Sequence, residues 1–182
     1  GQITSEGAID DDKARALVRA LAGHSSLGRL ILSENNIRGC DALATLLHSH
    51  RLALLDLREN QIDNDGAVVL AAGIMGSNTL NDLILEYNPN ITETGWQAIF
   101  AALQSPSCRI TQLSLRHNTI NDAAALSLLH ALTGNGHLKN LDISCLDRYT
   151  ITTAGWRTLS TLLQNTNNNV IENLDLCGNG LN

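Results

Sequence analysis

The sequence predicts an α/β solenoid, a stack of short parallel strands each followed by a helix, on three observations. An internal repeat runs through nearly all of the chain. Within each repeat the apolar residues first alternate and then recur at helical spacing. The apolar content is also aliphatic: hydrophobic residues make up 43% of the 182, aromatics only 3%. A core of Leu, Ile, Val and Ala suits a uniform repetitive interior better than an irregular one.

The elements follow in order. Ile9, Ala14, Leu17 and Leu21 lie at helical spacing, so a helical half-unit comes first. Six segments then align on L-x-x-L-x-L-x-x-N-x-I/L: LGRLILSENNI from Leu27, LALLDLRENQI from Leu52 and LNDLILEYNPNI from Leu80, then ITQLSLRHNTI from Ile110, LKNLDISCL from Leu138 and IENLDLCGNGL from Ile171. The asparagine column is Asn35, Asn60, Asn88, Asn118 and Asn179, with Leu146 in its place in the fifth segment. The alternating L-x-L predicts a short strand. After each asparagine, helical spacing takes over. Ile62 leads to Ala67, Leu70 and Ile74; Ile91 to Trp96, Ile99 and Leu103; Ile120 to Ala125, Leu128 and Leu132; Ile151 to Trp156, Leu159 and Leu163. The unit after Ile37 is shorter, and its helix fits this spacing less well.

These motifs resemble leucine-rich repeats and cover nearly the whole chain. Repeats of 28 to 30 residues with a genuine helix look like the ribonuclease-inhibitor-like subfamily. That group includes ribonuclease inhibitor, the GTPase-activating protein of the nuclear-transport GTPase and the sensor arms of innate immune receptors. The resemblance implies a horseshoe, with parallel strands on the concave face and helices on the convex one. The chain is read as one domain over residues 1–182, about six repeats, and as a piece of a longer array or protein.

Composition narrows the function. A net charge of −6 without a basic cluster argues against nucleic acid and anionic membranes as partners. No apolar run has the length of a membrane helix. Cys40, Cys108, Cys145 and Cys177 are widely spaced, with no zinc spacing, and four free thiols suit a reducing, cytoplasmic compartment. The sequon Asn90-Ile91-Thr92 is a short pattern that arises readily by chance. No G-x-S-x-G, P-loop or H-E-x-x-H motif occurs, and no cofactor, metal or catalytic residue is assigned.

With the strands stacked in parallel, the residues between and after the repeat leucines form columns facing solvent. They read Ile31, Asp56, Ile84, Ser114, Asp142, Asp175; then Ser33, Arg58, Glu86, Arg116, Ser144, Cys177; then Glu34, Glu59, Tyr87, His117, Cys145, Gly178. Free of packing duty, such positions are available for binding. The expected function is therefore a protein-interaction module holding a protein or peptide on its concave face and adjoining loops. The candidate partner-binding residues are Arg58, Glu59, Ile84, Glu86, Tyr87, Arg116, His117, Asp142, Arg148 and Tyr149. Tyr and Arg are favoured anchors at interfaces. Arg148 and Tyr149 fall in a loop enlarged by Asp147 to Thr150. A blander reading stands beside this one: Arg58, Glu86 and Arg116 on successive strands form a self-neutralising charge ladder. The alternatives in function are a regulator of a small GTPase, which the resemblance suggests, and the recognition arm of a larger sensor or effector.

Several residues that look chemical have structural expectations. The asparagines satisfy backbone groups in the turns between units, and Trp96 and Trp156 join the core. His48 and His50 lack a third metal ligand. A Cys145–His117 pair lacks an orienting group and an oxyanion site.

Overall fold

The computed structural model describes residues 2–4, 9–21, 23–24, 26–49, 51–146, 151–164 and 170–179. Strands and helices alternate along the chain. They are β1 (Gln2–Thr4), α1 (Asp11–Leu21), β2 (Arg29–Ile31), α2 (Asp41–Ser49), β3 (Leu54–Asp56), α3 (Asn64–Gly76) and β4 (Asp82–Ile84), then α4 (Glu93–Ala102), β5 (Gln112–Ser114), α5 (Asp122–Gly134), β6 (Asn140–Asp142), α6 (Thr153–Gln164) and β7 (Asn173–Asp175). The strands make one parallel sheet in sequence order. This is the predicted leucine-rich-repeat solenoid, with one strand more than the six motifs foretold. In β1 the sequence Gln2-Ile3-Thr4 carries a single apolar residue and no asparagine turn, so only its pairing to Arg29–Ile31 reveals it.

The register aligns Leu30, Leu55, Leu83, Leu113, Leu141 and Leu174 in one row. The first five are buried, as are Leu32, Leu57, Leu85, Leu115 and Ile143 two residues on. The helices close the other side of this core. Ala67, Leu70, Ile74, Trp96, Ile99, Leu103, Ala125, Leu128, Leu132 and Leu159 are all buried, as their spacing predicts. Trp96 is fully buried, stacks on Phe100 and donates from Nε1 to the Thr119 carbonyl at 3.0 Å. Trp156 is half-buried against the same core. The poor fit after Ile37 has a simple cause. Helix α2 starts at Asp41, four residues on, whereas α3 starts two residues after Ile62, and Cys40 is buried in the longer turn.

The asparagine column stitches one coil to the next. Asn88 Nδ2 donates to the carbonyls of Leu57 and Leu85, and its Oδ1 accepts from the Ile62 amide. Asn118 repeats the pattern toward Leu85 and Leu115, and accepts from the Asn88 amide at 2.8 Å. Asn35, Asn60 and Asn179 do likewise. All five are buried. The turn beneath each strand would otherwise bury unpaired backbone groups.

A second set of inter-coil bonds runs along the helix starts. Asp11 accepts from the amides of Arg38 and Gly39, Asn64 from those of Thr92 and Gly95, and Asp122 from the amide and hydroxyl of Thr152. Asp63 caps α3 by accepting from the Gly66 amide and also pairs with Arg38. The Gly66 amide and Arg38 guanidinium hold the Asp63 carboxyl below its ordinary range, and the Thr152 hydroxyl and amide do the same for Asp122. A depressed folded value stabilises above the unfolded pKa and is lost as pH falls through the folded one. Asp82 runs the other way, because burial raises its pKa. The thermal midpoint is therefore expected to hold from about pH 7 to 5 and to fall below about pH 4. Asp122→Asn should flatten part of that fall in a pH series followed by circular dichroism; an unchanged slope would contradict the assignment.

Candidate functional site

Because side chains alternate along a strand, the sheet has one face on the core and one away from the helices. On that outer face the predicted columns form, but they are not uniformly open. Asp56, Ser33 and Ser144 are buried. Asp56 lies beneath Arg58, whose guanidinium reaches it at 3.1 Å. The first column also carries a backbone duty that its sequence did not disclose. Asp56, Asp142 and Asp175 each accept from the amide two residues on, those of Arg58, Ser144 and Cys177. Each aspartate thus shapes the turn that follows its strand. Asp142, a predicted partner residue, is half-buried and holds this post.

The charge ladder forms in part. Arg58 Nη1 lies 3.9 Å from Glu86, and Glu86 Oε1 accepts from the Ser114 hydroxyl at 2.7 Å. Arg116 is exposed, and no salt bridge joins it to a described residue. Ile84 is half-buried beside this network.

The third column is the most distinctive. Glu34, Glu59, Tyr87, His117 and Cys145 have φ of 58°, 53°, 53°, 57° and 50°, and Gly178 has 74°. This left-handed conformation costs a residue with a Cβ roughly 1 kcal/mol or more. Five coils nevertheless place a side chain there, and four of the five are exposed. Tyr87 is 54% exposed, and its ring meets that of His117 edge-on, centroids 5.8 Å apart. Tyr87, Pro89, His117, Thr119 and Cys145 wall a rim hollow of about 260 Å³. Cys145 and His117 both line it. Arg148 and Tyr149 lie outside the described residues.

A fourth column was not anticipated. The residues before the aligned leucines, Arg29, Leu54, Asp82, Gln112, Asn140 and Asn173, share one row in the sheet. Gln112 bonds the Asp82 carboxylate, and Asn173 Nδ2 donates to Asn140 Oδ1 at 2.6 Å. Gln112, Asn140 and Asn173 of this row, with Ser114, Asp142 and Asp175, line a shallow depression of about 440 Å³ over β4 to β7. The same alternation that marks L-x-L marks these positions, one residue before the motif's second leucine.

His48 Nδ1 lies 2.7 Å from the Ala44 carbonyl, a bond within its own helix. His50 lies outside the described residues. No described helix is long and apolar enough to cross a membrane.

The sequence is similar to parts of several longer proteins. The chain is 32% identical over 135 residues, 71% of its length, to the human NACHT, LRR and PYD domains-containing protein 5. It is 27% identical over 150 residues, 73% of its length, to Protein CARMIL of Dictyostelium discoideum. A shorter match, 46% identical over 70 residues or 37% of the chain, is to the Tonsoku-like protein of Bos taurus. The chain spans 11%, 14% and 5% of these proteins respectively. No protein-family profile matches.

Proposed function

We propose that this leucine-rich-repeat solenoid is the recognition element of a larger sensor or regulator, and that it holds a protein or peptide on the open sheet face and the rim above β3 to β5. The observation that carries the reading is the left-handed row. Side chains kept at a costly backbone conformation, and left exposed, serve something other than the fold. Tyr87 and His117 form an aromatic patch flanked by Glu59, Glu86 and Arg116, the mixture found where interfaces have anchors. The proposed contact set also takes in Arg58, Ile84 and Asp142 on the sheet face, together with Arg148 and Tyr149, which lie outside the described residues. The reading is of a binding module without catalytic chemistry. Its larger context rests on relatives many times longer than this chain. Repeat length and full helices favour a ribonuclease-inhibitor-like reading of the repeats, and four free thiols favour a reducing compartment such as the cytoplasm.

The test compares wild type with Tyr87→Gly/Arg116→Ala in pulldowns from source lysate. Glycine suits the left-handed conformation, so the melting temperature should stay within about 2 °C of wild type. Recovery of a dominant partner should fall about tenfold or more. Val68→Ser and Met75→Ser, exposed on α3, should retain it. Equal recovery by the double variant, or loss in the α3 variants, would overturn the assignment.

A further inference from the structure

We propose that Cys145 and Cys177 form a reversible disulfide between the β6 and β7 coils when the protein meets a small-molecule disulfide such as oxidised glutathione. All four cysteines are free thiols, but they are of two kinds. Cys40 and Cys108 are buried, and burial pushes both thiols up, which suppresses the reactive thiolate. Cys145 is half-buried and Cys177 exposed.

The backbone brings these two together. The Cys145 amide donates to the Cys177 carbonyl at 2.7 Å, extending the ladder in which Asp142 pairs with Asp175. Continued from Asp142 opposite Asp175, that register sets Cys145 opposite Gly178 and Cys177 opposite Ser144. The two cysteines are therefore diagonal neighbours, one residue apart along strands about 4.8 Å apart, which puts their Cα atoms roughly 5.8 Å from each other. Disulfides span Cα separations of roughly 4.4–6.8 Å.

Gly178 shows which way the Cys145 thiol leans. Its φ of 74° does not by itself demand glycine, since five residues of the same row bear side chains at 50° to 58°. A Cβ at position 178, however, would lie 2.6 Å from Cys145 Sγ. The thiol therefore rests over β7's turn, against the residue next to Cys177. Glycine leaves it the room.

The reaction balances as thiol–disulfide exchange. The Cys177 thiolate attacks a sulfur of oxidised glutathione and releases one glutathione. The Cys145 thiolate then attacks Cys177 Sγ and releases the second. The two cysteine protons end on the two released thiols. Cys145 and Cys177 lose two electrons, and one glutathione disulfide is reduced. Closing the bond ties the two coils together at the wall of the hollow beneath Tyr87 and His117.

The full chain is incubated with oxidised glutathione, alkylated, and examined by intact mass and by peptide mapping under non-reducing conditions. The expected result is a monomer lighter by two hydrogens, with the Cys145 and Cys177 peptides joined, Cys40 and Cys108 still free, and a raised thermal midpoint. Dithiothreitol should restore the reduced mass. Cys145→Ser should leave Cys177 as a stable mixed disulfide with glutathione. Persistent glutathionylation of wild type at both residues, a disulfide-linked dimer, or two thiols that never react would overturn the proposal.

Discussion

Asn118→Ala is expected to destabilise the protein by about 3 kcal/mol, with the loss felt in two coils at once. The asparagine is buried, donates to the carbonyls of Leu85 and Leu115, and accepts from the Asn88 amide. Alanine removes one side chain but strands three backbone groups that water cannot reach. Each orphaned group costs about 1–3 kcal/mol, partly relieved by relaxation. Because Asn88 is itself a ladder member, the damage spreads toward Ile62, whose amide Asn88 receives. Urea unfolding should show the lower midpoint, and hydrogen exchange should show faster opening of β4 and β5 than of β2. Asn90→Ala is the contrast. Asn90 is exposed, and its amide nitrogen meets Gln61 in a solvent-facing bond, so the change should be within about 0.5 kcal/mol.

Gly66→Ala is expected to be comparably damaging, although alanine is the better helix former by about 1 kcal/mol. Gly66 lies in the first turn of α3, where a Cβ would sit 2.1 Å from the Arg38 carbonyl oxygen. That oxygen belongs to backbone already fixed by the Asp11 bond to the Arg38 amide, so neither side can yield cheaply. Overpacking of this kind costs roughly 1–3 kcal/mol and more when backbone must move, which outweighs the propensity gain. Gly136→Ala meets nothing within 4 Å and should change the midpoint little. At Gly76 the clash is with the His48 ring, a side chain that can swing, so Gly76→Ala should cost much less than Gly66→Ala. If all three alanine variants melted together, the contact account would be wrong.

The parts of this molecule visible in the sequence are those that each coil repeats locally. Leucine alternation marks β2 to β7, helical spacing marks the buried faces of α3 to α5, and the asparagine column marks the turns. What escaped notice depends on neighbours distant in the chain. Asp11, Asn64 and Asp122 bond amides 27 to 31 residues ahead, and nothing adjacent to them signals it. Gly95 and Gly155, each just before a tryptophan in the first turn of its helix, look in the sequence like helix punctuation. In the fold, Gly95 and Gly155 instead make room for Asn64 Oδ1 and Asp122 Oδ1.

The site was legible in outline and not in detail. Column membership follows from strand period, which is why Tyr87, His117, Glu59 and Arg116 fall in the outer columns that the repeat predicts. Exposure does not follow from period. Asp56 was counted as open, yet Arg58 folds over it, and Ser33 and Ser144 are too short to emerge. The left-handed row was hidden for another reason: five of its six members are not glycine, so composition gave no warning of positive φ.

Whether the open sheet face and its rim contact the partner can be asked by placing a photo-crosslinking amino acid, one site at a time, at positions 87 and 116 and at positions 68 and 126 on the helices. After irradiation in source lysate, positions 87 and 116 should capture the same partner band while positions 68 and 126 capture none. Capture from the helix positions with silence at 87 and 116 would contradict the account.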